Sequence, residues 1–145
     1  MTDVEKAKSL LVAEATCVLV KGEKVYISDK KGIAPMLGFI ADGVDLSGFS
    51  VADKIVGKAA AMLFVKAGIA DVYAETVSRA GLDFLESHGV SVSYNVLTDA
   101  IINRDKSGIC PMEATVRDID DVDEAYLALE QKVKSLRNRS EISQD

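Results

Sequence analysis

The segment Cys110-Pro111-Met112-Glu113 holds the side chains with the most obvious chemistry. Proline is favoured at the first position of a helix, which places Cys110 at the N-cap. A sulfur there lies near unsatisfied N–H groups and the positive helix end, conditions that favour a nucleophilic thiolate. Glu113 would then serve as proton shuttle. The same spacing fits a plainer arrangement, in which Glu113 folds back onto the cap and Cys110 is a small buried hydrophobe. Both readings stand on sequence alone.

A second cluster spans Ser50 to Lys58. Ser50-Val51-Ala52-Asp53 has capping-box spacing, with Asp in place of the usual Glu or Gln, and predicts a helix from there to about Ala67, stopped by Gly68. Gly57 and the run Ala59-Ala60-Ala61 leave little side-chain volume, so a backbone or a ligand can come close. On such a helix Lys54 and Lys58 lie one turn apart. Ser50, Asp53, Lys54, Gly57 and Lys58 then form a candidate anion or phosphate subsite at a helix start. The plainer alternative is a buried helix with two snorkelling lysines and a capping Asp53. Asn103, Arg104 and Asp105 follow a predicted strand and are candidate pocket walls, since ligands favour strand carboxyl ends in open α/β sheets. Cys17 lies in an apolar strand and reads as core. His88 precedes Gly89 at a helix end and reads as a cap residue. It is the only histidine, no second one is present to complete a triad, and serine-hydrolase chemistry of the usual Ser-His-Asp kind is not expected.

These side chains need elements to position them. The pattern predicts an amphipathic helix over Val4–Ala13, then a hairpin of Thr16–Lys21 and Lys24–Ser28. A short helix over Gly32–Ala41 follows, then the long buried helix, a strand over Val72–Val77, a helix over Gly81–His88 and a strand over Val90–Leu97. A last helix begins after Asp121 and runs to about Leu136. The expected fold is an α/β three-layer sandwich, a mixed sheet with helices on both faces, in the order β-β-α-α-β-α-β-α after an N-terminal helix. One domain over 1–136 is expected, with a flexible tail over 137–145.

Composition narrows the function. The 145 residues carry 17 basic and 23 acidic side chains, a net charge of −6, with 48% hydrophobic residues. No basic excess is available to meet a nucleic-acid polymer or an anionic membrane surface. The longest apolar run, Ala59–Val65, is far shorter than the roughly 20 residues of a spanning helix. The N-terminus lacks the pattern of a signal peptide, and two cysteines are too few for a disulfide framework. A cytoplasmic setting is expected. One histidine and two cysteines cannot supply a zinc site of three or four Cys/His ligands within one chain, and no cofactor or metal is expected.

The element order, the small-residue buried helix and the later Cys-Pro helix start resemble the cytidine-deaminase-like superfamily, over roughly Ala15–Lys134. Deaminases carry a His/Cys-Ala-Glu motif at the start of the buried helix and Pro-Cys-x-x-Cys at the start of the next. Zinc is held by the His or Cys and the two later cysteines, and the Glu moves protons. Laid on that pattern, Ile55 falls near the first ligand, Gly57 near the glutamate, Cys110 near the first later cysteine and Glu113 near the second. The resemblance implies the fold and a nucleotide-sized cleft where two helix starts converge, and it implies a homo-oligomer. The substitutions argue against zinc-dependent deamination. The expected function is binding of a small anionic or nucleotide-like ligand in that cleft. The alternatives are a cysteine-dependent enzyme using Cys110 as nucleophile, and an oligomeric interaction protein with no ligand.

Overall fold

Residues 17–21 and 24–28 are two short apolar runs, rich in β-branched residues, on either side of Gly22-Glu23, and they form a hairpin whose turn places Gly22 at φ +61°. This hairpin begins the sheet in a computed structural model that describes residues 1–12, 14–102 and 108–143, with side chains through Arg137. The elements are α1 (Asp3–Leu10), β1 (Cys17–Lys21), β2 (Lys24–Ser28), α2 (Ala34–Ala41), β3 (Ser50–Val56) and α3 (Lys58–Ala67). They continue with β4 (Asp71–Ser78), α4 (Arg79–Ser87), β5 (Ser91–Thr98), α5 (Pro111–Val116) and α6 (Val122–Ser143).

The five strands lie in the order β2-β1-β3-β4-β5. β1 is antiparallel to both neighbours, whereas β3, β4 and β5 are parallel, so the sheet is mixed as expected. Helices cover both faces. α1 packs Ala7 against Val18, Val20, Ala52 and Tyr73 on one face. The opposite face carries the larger core, to which α2, α3, α4, α5 and α6 contribute Leu37, Met62, Leu85, Val116 and Leu129.

The principal correction concerns residues 50–57. The predicted helix start is a central strand. Ser50, Val51, Ala52 and Asp53 are all buried, as a strand covered on both faces must be, so the segment lacks polar alternation and its apolar run imitates a buried helix. Ser50-x-x-Asp53 is therefore not a capping box. Lys54 and Lys58 do not share a helical face, because β3 ends at Val56 and α3 starts at Lys58. After the N-terminal helix the observed order is β-β-α-β-α-β-α-β-α-α, with one strand and one helix more than in the expected order. The remainder of the predicted buried helix holds, and every residue from Ala59 to Phe64 is buried. α1 ends at Leu10, earlier than expected, because Leu11 leaves helical geometry; Ala13 lies outside the described residues. α6 runs past the expected stop at Leu136 to Ser143. No helix among the described residues is long and apolar enough to cross a membrane.

Candidate functional site

β3 lies between an antiparallel and a parallel neighbour, so the carboxyl end of the parallel strands meets the start of β1 there. In α/β sheets ligands favour the carboxyl ends of the parallel strands. A cavity of about 450 Å3 lies there. Asp53, Lys54, Ile55 and Gly57 form one wall, Thr16 and Lys31–Ile33 a second, and Ile101, Ile102 and Cys110–Glu113 a third. The volume falls within the range of small-molecule sites, about 300–1,000 Å3. Most of the lining is aliphatic, with a few polar groups converging on it.

Glu113 organises the edge of this cavity. α5 starts at Pro111 with Cys110 as N-cap, as the Cys-Pro order predicts, and Cys110 makes no side-chain capping bond. Glu113 does not fold back on that cap. It reaches α3, where its Oε1 accepts the Lys58 N–H at 2.7 Å and its Oε2 accepts the Ala59 N–H at 2.9 Å. These amides are among those a helix start leaves without intrahelical partners, and the carboxylate also meets the positive helix end. Gly57 makes this approach possible. A Cβ at that position would lie 2.2 Å from Glu113 Oε1. Gly57 is pressed from the other side by α4, since a Cβ on Gly81 would stand 2.9 Å from the Gly57 carbonyl carbon and oxygen. Glu113 also borders a second cavity of about 510 Å3 on its far side, lined by Lys58, Ser78, Asp83 and Arg117 among others. Lys58 is engaged there, donating from Nζ to the Arg117 carbonyl at 3.1 Å and pairing with Asp120 at 3.6 Å.

Asp53 is the buried acid of the first cavity, with 7% of its surface exposed. Burial disfavours its charged form and pushes its pKa up to about 7, against the smaller opposing effect of backbone hydrogen bonds from Ile55 and Lys54. Its neighbour across the sheet is Cys17. Burial raises the Cys17 thiol well above its usual range, and the nearby Asp53 charge adds to the shift. Cys17 is thus core, as read from its strand, whereas Cys110 is partly exposed on the cavity. Iodoacetamide is expected to modify Cys110 in the native protein and to leave Cys17 intact until the chain unfolds, as peptide mass mapping would show. Modification of Cys17 at the native rate would contradict its burial.

Of the sequence candidates, Asp53, Lys54, Gly57, Cys110 and Glu113 come together around this cavity. Lys58 faces the neighbouring one. Ser50 does not join them, because it sits at the opposite end of β3 beside Asp71, its Oγ donating to Asp71 Oδ2 at 3.5 Å. Asn103, Arg104 and Asp105 lie outside the described residues. Sequence reasoning missed Lys31, Ile33 and the exposed wall residue Ile55 as lining groups. A local signal existed for the first two: Gly32, at φ +61°, turns the chain between them. Among the described residues no three of His, Cys, Asp and Glu gather where they could hold a metal ion.

The family described as TM1506, domain of unknown function (DUF1893), matches residues 5–133. The chain belongs to the DUF1893 family. It is similar to a DUF1893 family protein (TM1506) from Thermotoga maritima, with 27% identity, 81% of this chain and 80% of that one covered, and a TM-score of 0.75. A diaminohydroxyphosphoribosylaminopyrimidine deaminase/5-amino-6-(5-phosphoribosylamino)uracil reductase from the same organism matches with 18% identity and a TM-score of 0.44. That match covers 56% of this chain and 29% of the longer enzyme. No curated protein matches the chain. In this DUF1893 protein the helix that follows α3 is α4, not the Cys110 helix, so Cys110 does not stand at the next helix start. The starts of α3 and α5 nevertheless meet in space, through Glu113.

Proposed function

We propose that this DUF1893 protein binds a small molecule in the cavity at the carboxyl end of β3, on a cytidine-deaminase-like scaffold that does not perform zinc-dependent deamination. The observation that carries the reading is the convergence of a buried carboxyl, Asp53, with Lys31, Lys54 and Cys110 on one largely aliphatic cavity. A ligand with an apolar body and one charged or polar edge fits such a lining, and a nucleotide-like molecule is one class that meets the description. The donor set does not suit zinc. Both oxygens of Glu113 accept α3 amides, and Asp53 accepts backbone N–H groups while buried in the strand. Among the described residues that leaves the Cys110 sulfur as a single ready ligand where a catalytic zinc takes three.

Native mass spectrometry of protein purified from its own cells, paired with elemental analysis, tests this reading. The expected result is a zinc-free chain carrying a co-purified small molecule, and loss of that molecule in Ile55→Trp, which fills the cavity from an exposed wall position. Stoichiometric zinc would overturn the zinc-free reading. Failure of any compound in a thermal-shift screen with nucleotides and related anions to raise the melting temperature, together with a bare chain, would overturn the binding reading.

The position of Cys110 supports a second reading, a cysteine-dependent reaction on the bound molecule. Its sulfur stands on the same cavity as Asp53, whose near-neutral titration suits proton transfer. An iodoacetamide rate profile matching that of an ordinary free thiol across pH would remove its basis.

A further inference from the structure

β5 is an edge strand without the charges or prolines that commonly guard one against pairing. Its sequence, Ser91-Val92-Ser93-Tyr94-Asn95-Val96-Leu97-Thr98, has no charge, no proline and no glycine, and among the described residues it pairs with β4 alone. Tyr94 is 42% exposed and Val96 48%, so the middle of the strand presents accessible side chains. The opposite edge differs. β2 begins at Lys24 and runs out into Asp29-Lys30-Lys31, so charges flank it at both ends.

We propose that β5 pairs antiparallel with β5 of a second copy of this chain, joining two sheets into one across a two-fold axis. The occupant is argued from charge and pattern. In a chain of net charge −6, an uncharged edge lets two identical copies approach without like charges meeting on the strand. Antiparallel pairing brings the Asp99 end of one strand to the His88 end of the other and never sets Asp99 against Asp99. The side-chain pattern is self-complementary as well. With Tyr94 on the axis, Val92 stands opposite Val96 of the partner and Ser93 opposite Asn95 of the partner, so the central pairs match apolar with apolar and polar with polar, while Ser91 meets Leu97 at the ends. An isologous contact of this kind closes at two chains, because the pairing uses up the free edge of each.

Light scattering on the eluting protein is expected to give a dimer for the parent and a monomer for Tyr94→Lys/Val96→Lys, with unchanged circular dichroism. Tyr94→Cys in a Cys110→Ser background should form a disulfide-linked dimer on mild oxidation, since directly opposed Cβ atoms on paired strands lie about 4.5–5.5 Å apart. Glu75→Cys, one strand inward and exposed, should not. A monomeric parent, or a dimer that survives the double lysine substitution in a folded protein, would overturn the proposal. A dimer abolished by lysine with no cross-link at Tyr94 would overturn the register centred on that residue.

Discussion

Asp53→Asn is expected to change how stability depends on pH, with the parent losing ground to the variant as pH rises from about 4 to 7 and the difference holding constant above that. The carboxyl titrates near 3.8 when the chain is unfolded and near 7 in the folded protein. Between those values the folded state holds a proton that the unfolded state has released. Raising the pH through the window therefore favours unfolding. A raised acid pKa contributes stability that is fully present below the unfolded pKa and is lost as pH climbs through the folded one. The shift of about three units corresponds to a ceiling of about 4 kcal/mol, at about 1.4 kcal/mol per unit. Asparagine has nearly the same shape, keeps an oxygen for one of the backbone donors and has no proton to lose in this range.

Urea unfolding of both proteins at several pH values from 4 to 8 measures the effect. The difference between parent and variant isolates Asp53, since all other groups cancel. A flat difference would show that water or a counter-charge already stabilises the ionised form. Lys31 and Lys54 line the same cavity, so they are the groups to examine in that case. The expected behaviour also bears on binding. A carboxyl that changes charge near neutrality makes affinity for a charged ligand pH-dependent where that ligand touches it.

The helix that is apolar all round was legible as buried because no polar face was left to turn outward, and Ala59–Phe64 are indeed covered. The start of that helix was not legible. A strand buried on both faces shows no alternation, so Val51, Ala52, Ile55 and Val56 match a helix as well as a sheet centre, and Ser50-x-x-Asp53 supplied a capping pattern by coincidence. Local spacing also governed the reading of Glu113. Three residues after Cys110, it has an obvious partner on its own helix, whereas its actual partners are 55 and 54 residues away and follow from packing that one sequence does not display. Gly57 carried a partial signal. Small residues at the helix start let something come close, and what comes close is a carboxylate of the same chain.

That contact supplies the other large effect. Glu113→Ala is expected to destabilise the protein by about 2–4 kcal/mol, because two helix-start amides lose a charged acceptor in a partly buried place. Gly57→Ala should cost a similar amount, for a different reason. The backbone at Gly57 has φ −105°, which any residue adopts, so the penalty arises from the Cβ placed 2.2 Å from Glu113 Oε1. Relieving it means pushing Glu113 off the amides. The two substitutions therefore damage the same contact, and their effects cannot add. With Glu113 already truncated, the Cβ at residue 57 enters vacated space, and the double variant should be no less stable than the worse single by more than about 1 kcal/mol. Chemical denaturation of the four proteins closes the cycle. Additive losses would mean that Gly57 is required by its other neighbour, the α4 start at Gly81, and that Glu113 is not what fills the space of the missing side chain. Strong coupling would identify Glu113 as the group that ties α5 to α3, and with it the wall shared by both cavities.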